Sequence, residues 1–214
     1  MPTLLLRLAA PLQSWGANSK FEIRTTEKMP TKSGVVGMLA AALGLGRDAD
    51  LSALNALKFG VRADREGEDI TDFHMAHSEK SSYVTYRHYL SDAVFLAGLE
   101  GEESFLRELE TALQNPRFPL FLGRRSCPPT LPLVVGIRGT PLETTLSKEA
   151  PLGEKHENML RVQMETDDPA AGLMKDMPVS FDPGRRIYGY RRVKEFFVEC
   201  IQNETEHDAM GELG

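Results

Sequence analysis

Residues 3–16 read Thr3-Leu-Leu-Leu-Arg-Leu-Ala-Ala-Pro-Leu-Gln-Ser-Trp-Gly16. Residues 3–10 have the unbroken apolar character of a strand buried on both faces, and Pro11 ends it because proline cannot continue a ladder of backbone hydrogen bonds. Gln13-Ser14-Trp15-Gly16 then forms a turn carrying the only tryptophan of the chain. The next firm signal is Pro30-Thr31-Lys32-Ser33-Gly34, a helix start in which Thr31 or Ser33 can cap free amide groups. Val35, Met38, Leu39, Ala42 and Leu43 fall on one helical face, and Gly44 or Gly46 supplies the stop.

Further along, Leu51–Leu57 reads as a short helix and Phe59–Ala63 as a strand, followed by a polar connector over 64–71. Asp72–Leu99 reads as two extended runs around Ser78–Ser82, a hairpin with a loose tip. Alternation along its second run puts Tyr83, Thr85, Arg87 and Tyr89 on one face. Glu102–Gln114 has the helical stripe Phe105, Leu106, Leu109 and Leu113. After Asn115-Pro116, Phe118–Gly123 reads as a strand leading into Arg124-Arg125-Ser126-Cys127. The C-terminal third is irregular until Arg185–Lys194, where Arg186, Tyr188, Tyr190 and Arg192 alternate onto one face. The predicted order of strand, helix, strand, hairpin, helix, strand is α+β: a ferredoxin-like (RRM-like) βαββαβ unit with a projecting hairpin thumb at about 72–99. A less regular, strand-containing C-terminal part completes a single domain over residues 1–202. Such sheets are a common scaffold for RNA binding.

The chain has 214 residues, 41% hydrophobic and 26% charged, an ordinary soluble composition. Val35–Leu45, its longest apolar stretch, is broken by Gly37 and Gly44 and is about half the length of a membrane span. No basic region precedes the N-terminal apolar run, so secretion is not expected. Two cysteines suit a reducing, cytoplasmic compartment. The formal charge of −6 argues against a nucleic-acid partner until its distribution is considered. Residues 1–47 hold six basic groups against two acidic ones, 117–138 hold four arginines and no acid, and 185–194 hold five basic groups and no acid. The last twenty residues hold six acids and no lysine or arginine, and without them the chain is neutral. The composition of that acidic tail, 203–214, is that of a disordered segment.

Signatures of catalysis are weak. His74 and His77 point to opposite faces of a strand and lack further ligands, so no metal site and no cofactor is expected. There is no Gly-x-Ser-x-Gly, neither cysteine has an identifiable base, and Lys32-Ser33 lacks the glycines of a phosphate loop. Metal-independent RNA cleavage by Tyr, Lys and His needs no linear signature and stands as the alternative reading.

Seven motifs, in order, resemble one family. They are Leu6–Ala9 with Pro11–Gly16, Pro30–Gly37, Arg47-Asp48, Val61-Arg62 with Asp64, Asp72–His74, Tyr89–Ala93 and Leu122–Pro128. The chain is thereby similar to the CasD subunits of type I-E CRISPR Cascade complexes, in the RAMP group, from Leu4 to about Pro132. The resemblance implies a non-catalytic subunit of an antiviral ribonucleoprotein that binds the 5′ handle of the CRISPR RNA and caps that end of the assembly. It also implies that a separate subunit makes the processing cut. The implied partners are a CasC-type backbone subunit and a CasA-type large subunit, with target DNA reached indirectly through the complex.

Candidate RNA contacts follow from residue chemistry. Thr31, Lys32 and Ser33 combine hydroxyls, an ammonium and a helix N-terminus, which suits a phosphate, although a plain helix cap looks the same. Gln13 and Trp15 follow the first strand, and Trp15 reads equally as a base-stacking or a core residue. Arg24 and Thr25 sit in a polar run. Arg124, Arg125 and Ser126 are the sharpest local signal, since adjacent arginines point to different sides. His74, Arg87 and Tyr89 complete the set, the last two as a cationic and aromatic pair suited to an unpaired nucleotide.

Overall fold

The computed structural model describes residues 1–16, 23–77, 82–153 and 158–200. The expected hairpin tip over 78–81 and the acidic tail lie outside the described residues. In chain order the elements are β1 (Thr3–Ala9), β2 (Leu12–Gln13), β3 (Ile23–Arg24), α1 (Lys32–Leu43), α2 (Ser52–Asn55), β4 (Lys58–Arg65), β5 (Glu68–His77), β6 (Ser82–Ser91), β7 (Val94–Glu100), α3 (Glu103–Gln114), β8 (Val134–Arg138), α4 (Leu142–Lys148), β9 (Met159–Glu165), β10 (Gly172–Ser180) and β11 (Ile187–Glu199). They form an α+β architecture on a seven-stranded sheet of order β10-β11-β9-β4-β7-β1-β8. Its β1, β4, β7 and β8, with α1 and α3, occur in the chain order strand, helix, strand, strand, helix, strand. β1 lies between β7 and β8, antiparallel to both. Its leucines serve two cores: Leu4, Leu6 and Leu8 pack with α1 and α3, while Leu5 packs with Leu142 and Leu146 of α4.

Helix α1 begins as the sequence indicates. The Thr31 hydroxyl accepts a hydrogen bond from the Gly34 amide, and Gly44 ends the helix in the left-handed region at φ 79°. It is not one-faced, however: Val36 and Ala40 are buried along with Val35, Met38, Leu39 and Ala42. Glycine permits this enclosure. A Cβ on Gly34 would come within 2.8 Å of the Trp15 ring, and one on Gly37 would touch Phe181.

Phe118–Gly123 is not a strand. Proline at 116 and 119 removes ladder donors, and the segment instead serves the end of α1. The amides of Arg117 and Phe118 donate to the carbonyls of Ala42 and Ala41, which a helix C-terminus leaves without partners. The 64–71 connector is a correction too: most of it belongs to β4 and β5, and the hairpin spans Glu68–Ser91. The end of the expected hairpin range, from Val94 to Leu99, belongs to β7, an interior strand of the seven-stranded sheet between β4 and β1.

The C-terminal third is regular, carrying α4 and adding β9, β11 and β10 beside β4. Arg62 anchors it from inside. Its side chain is fully buried against the Asp64 carboxylate and donates to the carbonyls of Leu146, Glu149 and Ala150 at the end of α4, while Asp64 also accepts from the Leu152 amide.

Candidate nucleic-acid interface

A second sheet is built around β6. β5 lines one edge, and β2 and β3 meet the other, at Leu90–Ser91 and Tyr86–Arg87 respectively. The register makes Arg24 of β3 and Arg87 of β6 direct partners. A third segment arrives through the tight loop after Leu122. Gly123 sits at φ 82°, where a Cβ would lie 1.6 Å from the Ser14 carbonyl oxygen, so only glycine lets the loop pass. The Leu122 amide donates to the Cys127 carbonyl and the Cys127 amide to Arg124. That turn brings Arg124 and Ser126 against the sheet at Tyr89 and leaves Arg125 exposed between them in sequence.

Arg124 ties the segments together. Its Nη2 donates to the Arg24 carbonyl at 2.7 Å, and its guanidinium lies 4.6 Å over the Tyr89 ring. Burial raises the Tyr89 phenol, but hydrogen bonds from Ser126, Arg124 and Arg87 and the Arg124 charge outweigh it, leaving the pKa below the ordinary tyrosine value. The Nε of Arg87 and the Nη1 of Arg124 are buried without a hydrogen-bond partner among the described residues. Orphaned cationic donors are costly, and phosphate or carbonyl oxygens are the acceptors that suit them. Arg24 and Arg125 are exposed, and neither they nor Arg87 and Arg124 make an ion pair among the described residues. Thr25 is exposed and adjoins Arg24, Ser126 is exposed beside Arg125, and half-buried His74 pairs with Asp72 on the strand opposite Arg87.

Along the face of β6 exposure falls from Tyr83, half exposed near the tip, to the buried Tyr89 at the base. Tyr89 is buried, with Arg124 over its ring, which corrects the expectation that this ring would stack on a nucleotide. Gln13 and Trp15 are corrected as well. Gln13 is fully buried, its Nε2 donating to the Leu8 and Ala93 carbonyls and its Oε1 accepting from the Trp15 indole. Trp15 is core.

The largest correction concerns Thr31, Lys32 and Ser33, all buried. The Lys32 ammonium donates to the carbonyls of Asn55 and Leu57 and to Glu165. The Lys32 amide at the start of α1 donates to Asp176 Oδ2 at 2.8 Å, and Asp176 is gripped by Arg191 through both carboxylate oxygens. A carboxylate of the protein thus occupies the place expected for phosphate. Asp176, Glu165 and Arg191 escaped the sequence reading. The signal available was an acid with apolar neighbours in β10 and an arginine pair in β11, one member of which had to face inward.

Among the described residues no cluster of three or more His, Cys, Asp or Glu side chains is placed to hold a metal ion. Burial raises the Cys127 thiol pKa, outweighing the opposing effects of Ser126 and Arg124, so it is not an activated nucleophile. His156 and His207 lie outside the described residues. No helix among the described residues is long and apolar enough to cross a membrane.

The arginine cluster falls within a stretch, residues 3–194, that matches the family described as CRISPR-associated protein (Cas_Cas5). The chain belongs to the Cas5 family. This Cas5 chain is 38% identical over 157 residues to the CRISPR system Cascade subunit CasD of Escherichia coli (strain K12), a match covering 62% of this chain and 70% of that one. A chain of a solved CRISPR RNA-guided surveillance complex superposes with a TM-score of 0.81 at 33% identity, covering 92% of this chain and 90% of that chain. A crystal structure of a Cas protein gives a TM-score of 0.74 at 44% identity, covering 92% and 95%. The similarity to CasD inferred from the seven motifs is therefore found again by overall comparison.

Proposed function

We propose that this Cas5 chain is a non-catalytic, cytoplasmic subunit of a type I-E Cascade complex, holding the 5′ handle of the CRISPR RNA. The observation that carries the reading is the cluster of Arg24, Arg87, Arg124 and Arg125, with two buried guanidinium nitrogens that lack partners among the described residues. Such donors suit phosphate and base-edge oxygens. Thr25, Ser126 and His74 flank the cluster and Tyr89 lies against Arg124, whereas Gln13, Trp15 and Thr31–Ser33 are buried in the interior. The fold reads as a ferredoxin-like unit with the β5–β6 hairpin as its thumb. A CasC-type backbone subunit and a CasA-type large subunit are the partners of this reading, and target DNA is met through the assembled complex.

Titration of labelled handle RNA with the full chain, with and without Arg124→Ala and Arg125→Ala, tests this. Binding that weakens in the double variant while the RNA stays intact is expected. Equal binding by both proteins removes the cluster from the interface. Cleavage of repeat RNA in EDTA would replace the reading with a metal-independent endoribonuclease.

A further inference from the structure

Residues 172–194, which form β10, its turn and the first half of β11, hold six basic side chains against two acidic ones. Arg191 and Asp176 neutralise each other inside the protein. The other cations are turned elsewhere. Leu173 and Arg192 are register partners, so they share a face. Alternation puts Lys175 and Tyr190 on that same face, and the Lys175 ammonium lies 5.6 Å over the Tyr190 ring. Tyr190 is 58% exposed and Leu173 64% exposed. The cluster that holds Leu142 and Leu146 of α4 takes in Phe196 and Val198 of β11, and Glu143 of α4 pairs with Lys194, all further along the strand than Tyr190 and Arg192. Arg192 donates to the carbonyls of Pro169 and Ala171, which place the group without cancelling its charge. Of the nearby acids, Glu143 is answered by Lys194, Asp182 and Asp168 accept from backbone amides of their own turns, and Asp167 lines a cavity with Arg192 but forms no ion pair with it among the described residues.

An exposed aromatic ring beside Lys175 and Arg192, which form no ion pair among the described residues, has the composition of a single-strand stacking platform. A protein partner of the obligate kind would be met by an apolar patch, whereas here the apolar side chains are interspersed with lysine and arginine. We infer that the outer face of β10 and β11 is a second RNA-binding surface. A base stacks on Tyr190 while Lys175 and Arg192 take the phosphates on either side, in the same CRISPR RNA whose handle the arginine cluster holds. The inference rests on the proposed RNA-binding role but not on the cluster's residues.

The two surfaces separate in one experiment. Single-stranded RNA carrying the handle and a guide extension is titrated against the full chain, the Lys175→Ala/Tyr190→Ala variant and the Arg124→Ala/Arg125→Ala variant, with melting curves for each. Loss of one stacked base and one phosphate contact predicts a fall in affinity of about tenfold or more for Lys175→Ala/Tyr190→Ala. Tyr190→Phe, which keeps the ring, should retain most of that binding. If Lys175→Ala/Tyr190→Ala binds as the unaltered chain does while the arginine variant is weakened, the outer face is not an RNA surface and the handle reading stands. If the unaltered chain binds no RNA, both readings fall. A shifted melting curve is resolved by photocrosslinking of thiouridine-substituted RNA to the unaltered chain, where a crosslink at Tyr190 supports the surface and crosslinks confined to the 24–126 cluster overturn it.

Discussion

Lys32 spends its ammonium inside the protein, on two carbonyls and Glu165, whereas Arg124 leaves one guanidinium nitrogen without a partner among the described residues. Two cations in equally suggestive motifs thus have opposite uses, and each use makes a different prediction. Lys32→Met should lower unfolding free energy by about 1–3 kcal/mol, because the Asn55 and Leu57 carbonyls lose their ammonium donor while Glu165 keeps the Phe59 amide and Arg191. RNA affinity, measured where the variant is still folded, should not change. A loss of affinity with an unchanged melting curve would return Lys32 to the interface. Tyr89 gives a pH prediction. Its folded pKa lies below the unfolded value of 10.0, so its contribution to stability is present above pH 10 and is lost as pH falls through the folded value. A near-ultraviolet titration should show one phenol ionising ahead of the rest, and Tyr89→Phe should remove that phase.

At the scale of elements, α1 depends on an absent side chain at its first turn. Gly34→Ala would push a methyl group into the Trp15 ring, and since this is the only tryptophan, its fluorescence reports the event directly. Emission should move to longer wavelength and the melting temperature should fall, whereas an unchanged spectrum would mean that the ring and helix separate without cost. The α1 and α3 helices and the strands β1, β4 and β6 were legible because apolar spacing, caps and breakers agree there. The alternation at Arg185–Lys194 takes in the start of β11, but β10 was not legible, and β9 was passed over although Leu160, Val162 and Met164 alternate with polar residues; the pairing of all three beside β4 is a tertiary event that no local pattern specifies. Phe118–Gly123 misled for the reverse reason, an apolar run whose prolines send it to the end of a helix. In the candidate site, Arg24, Arg87 and Arg124 were legible as single residues. Gln13, Trp15 and Lys32 were misread because a polar side chain satisfied in the interior and one reserved for a ligand look identical in a sequence.

For the whole molecule, the formal charge of −6 weakens long-range attraction to RNA, so binding must come from local contacts. Four arginines meeting single-stranded RNA predict a slope of about −3 in log affinity against log salt, reduced by about 1.4 when Arg124 and Arg125 are both replaced by alanine. Anisotropy titrations across a salt series measure both. A slope near zero would turn the cluster into a protein-contact surface.

Asp176 reaches the head of α1 from a strand far away in the sequence and closes it with a hydrogen bond from the Lys32 amide. It behaves as a tethered counter-ion whose local concentration no dissolved anion matches. Phosphate and sulfate buffers, which steady many helix N-termini by binding there, therefore have nothing to offer this one. The helix opening the first half of the chain is instead completed by the second half, so the two halves mature together.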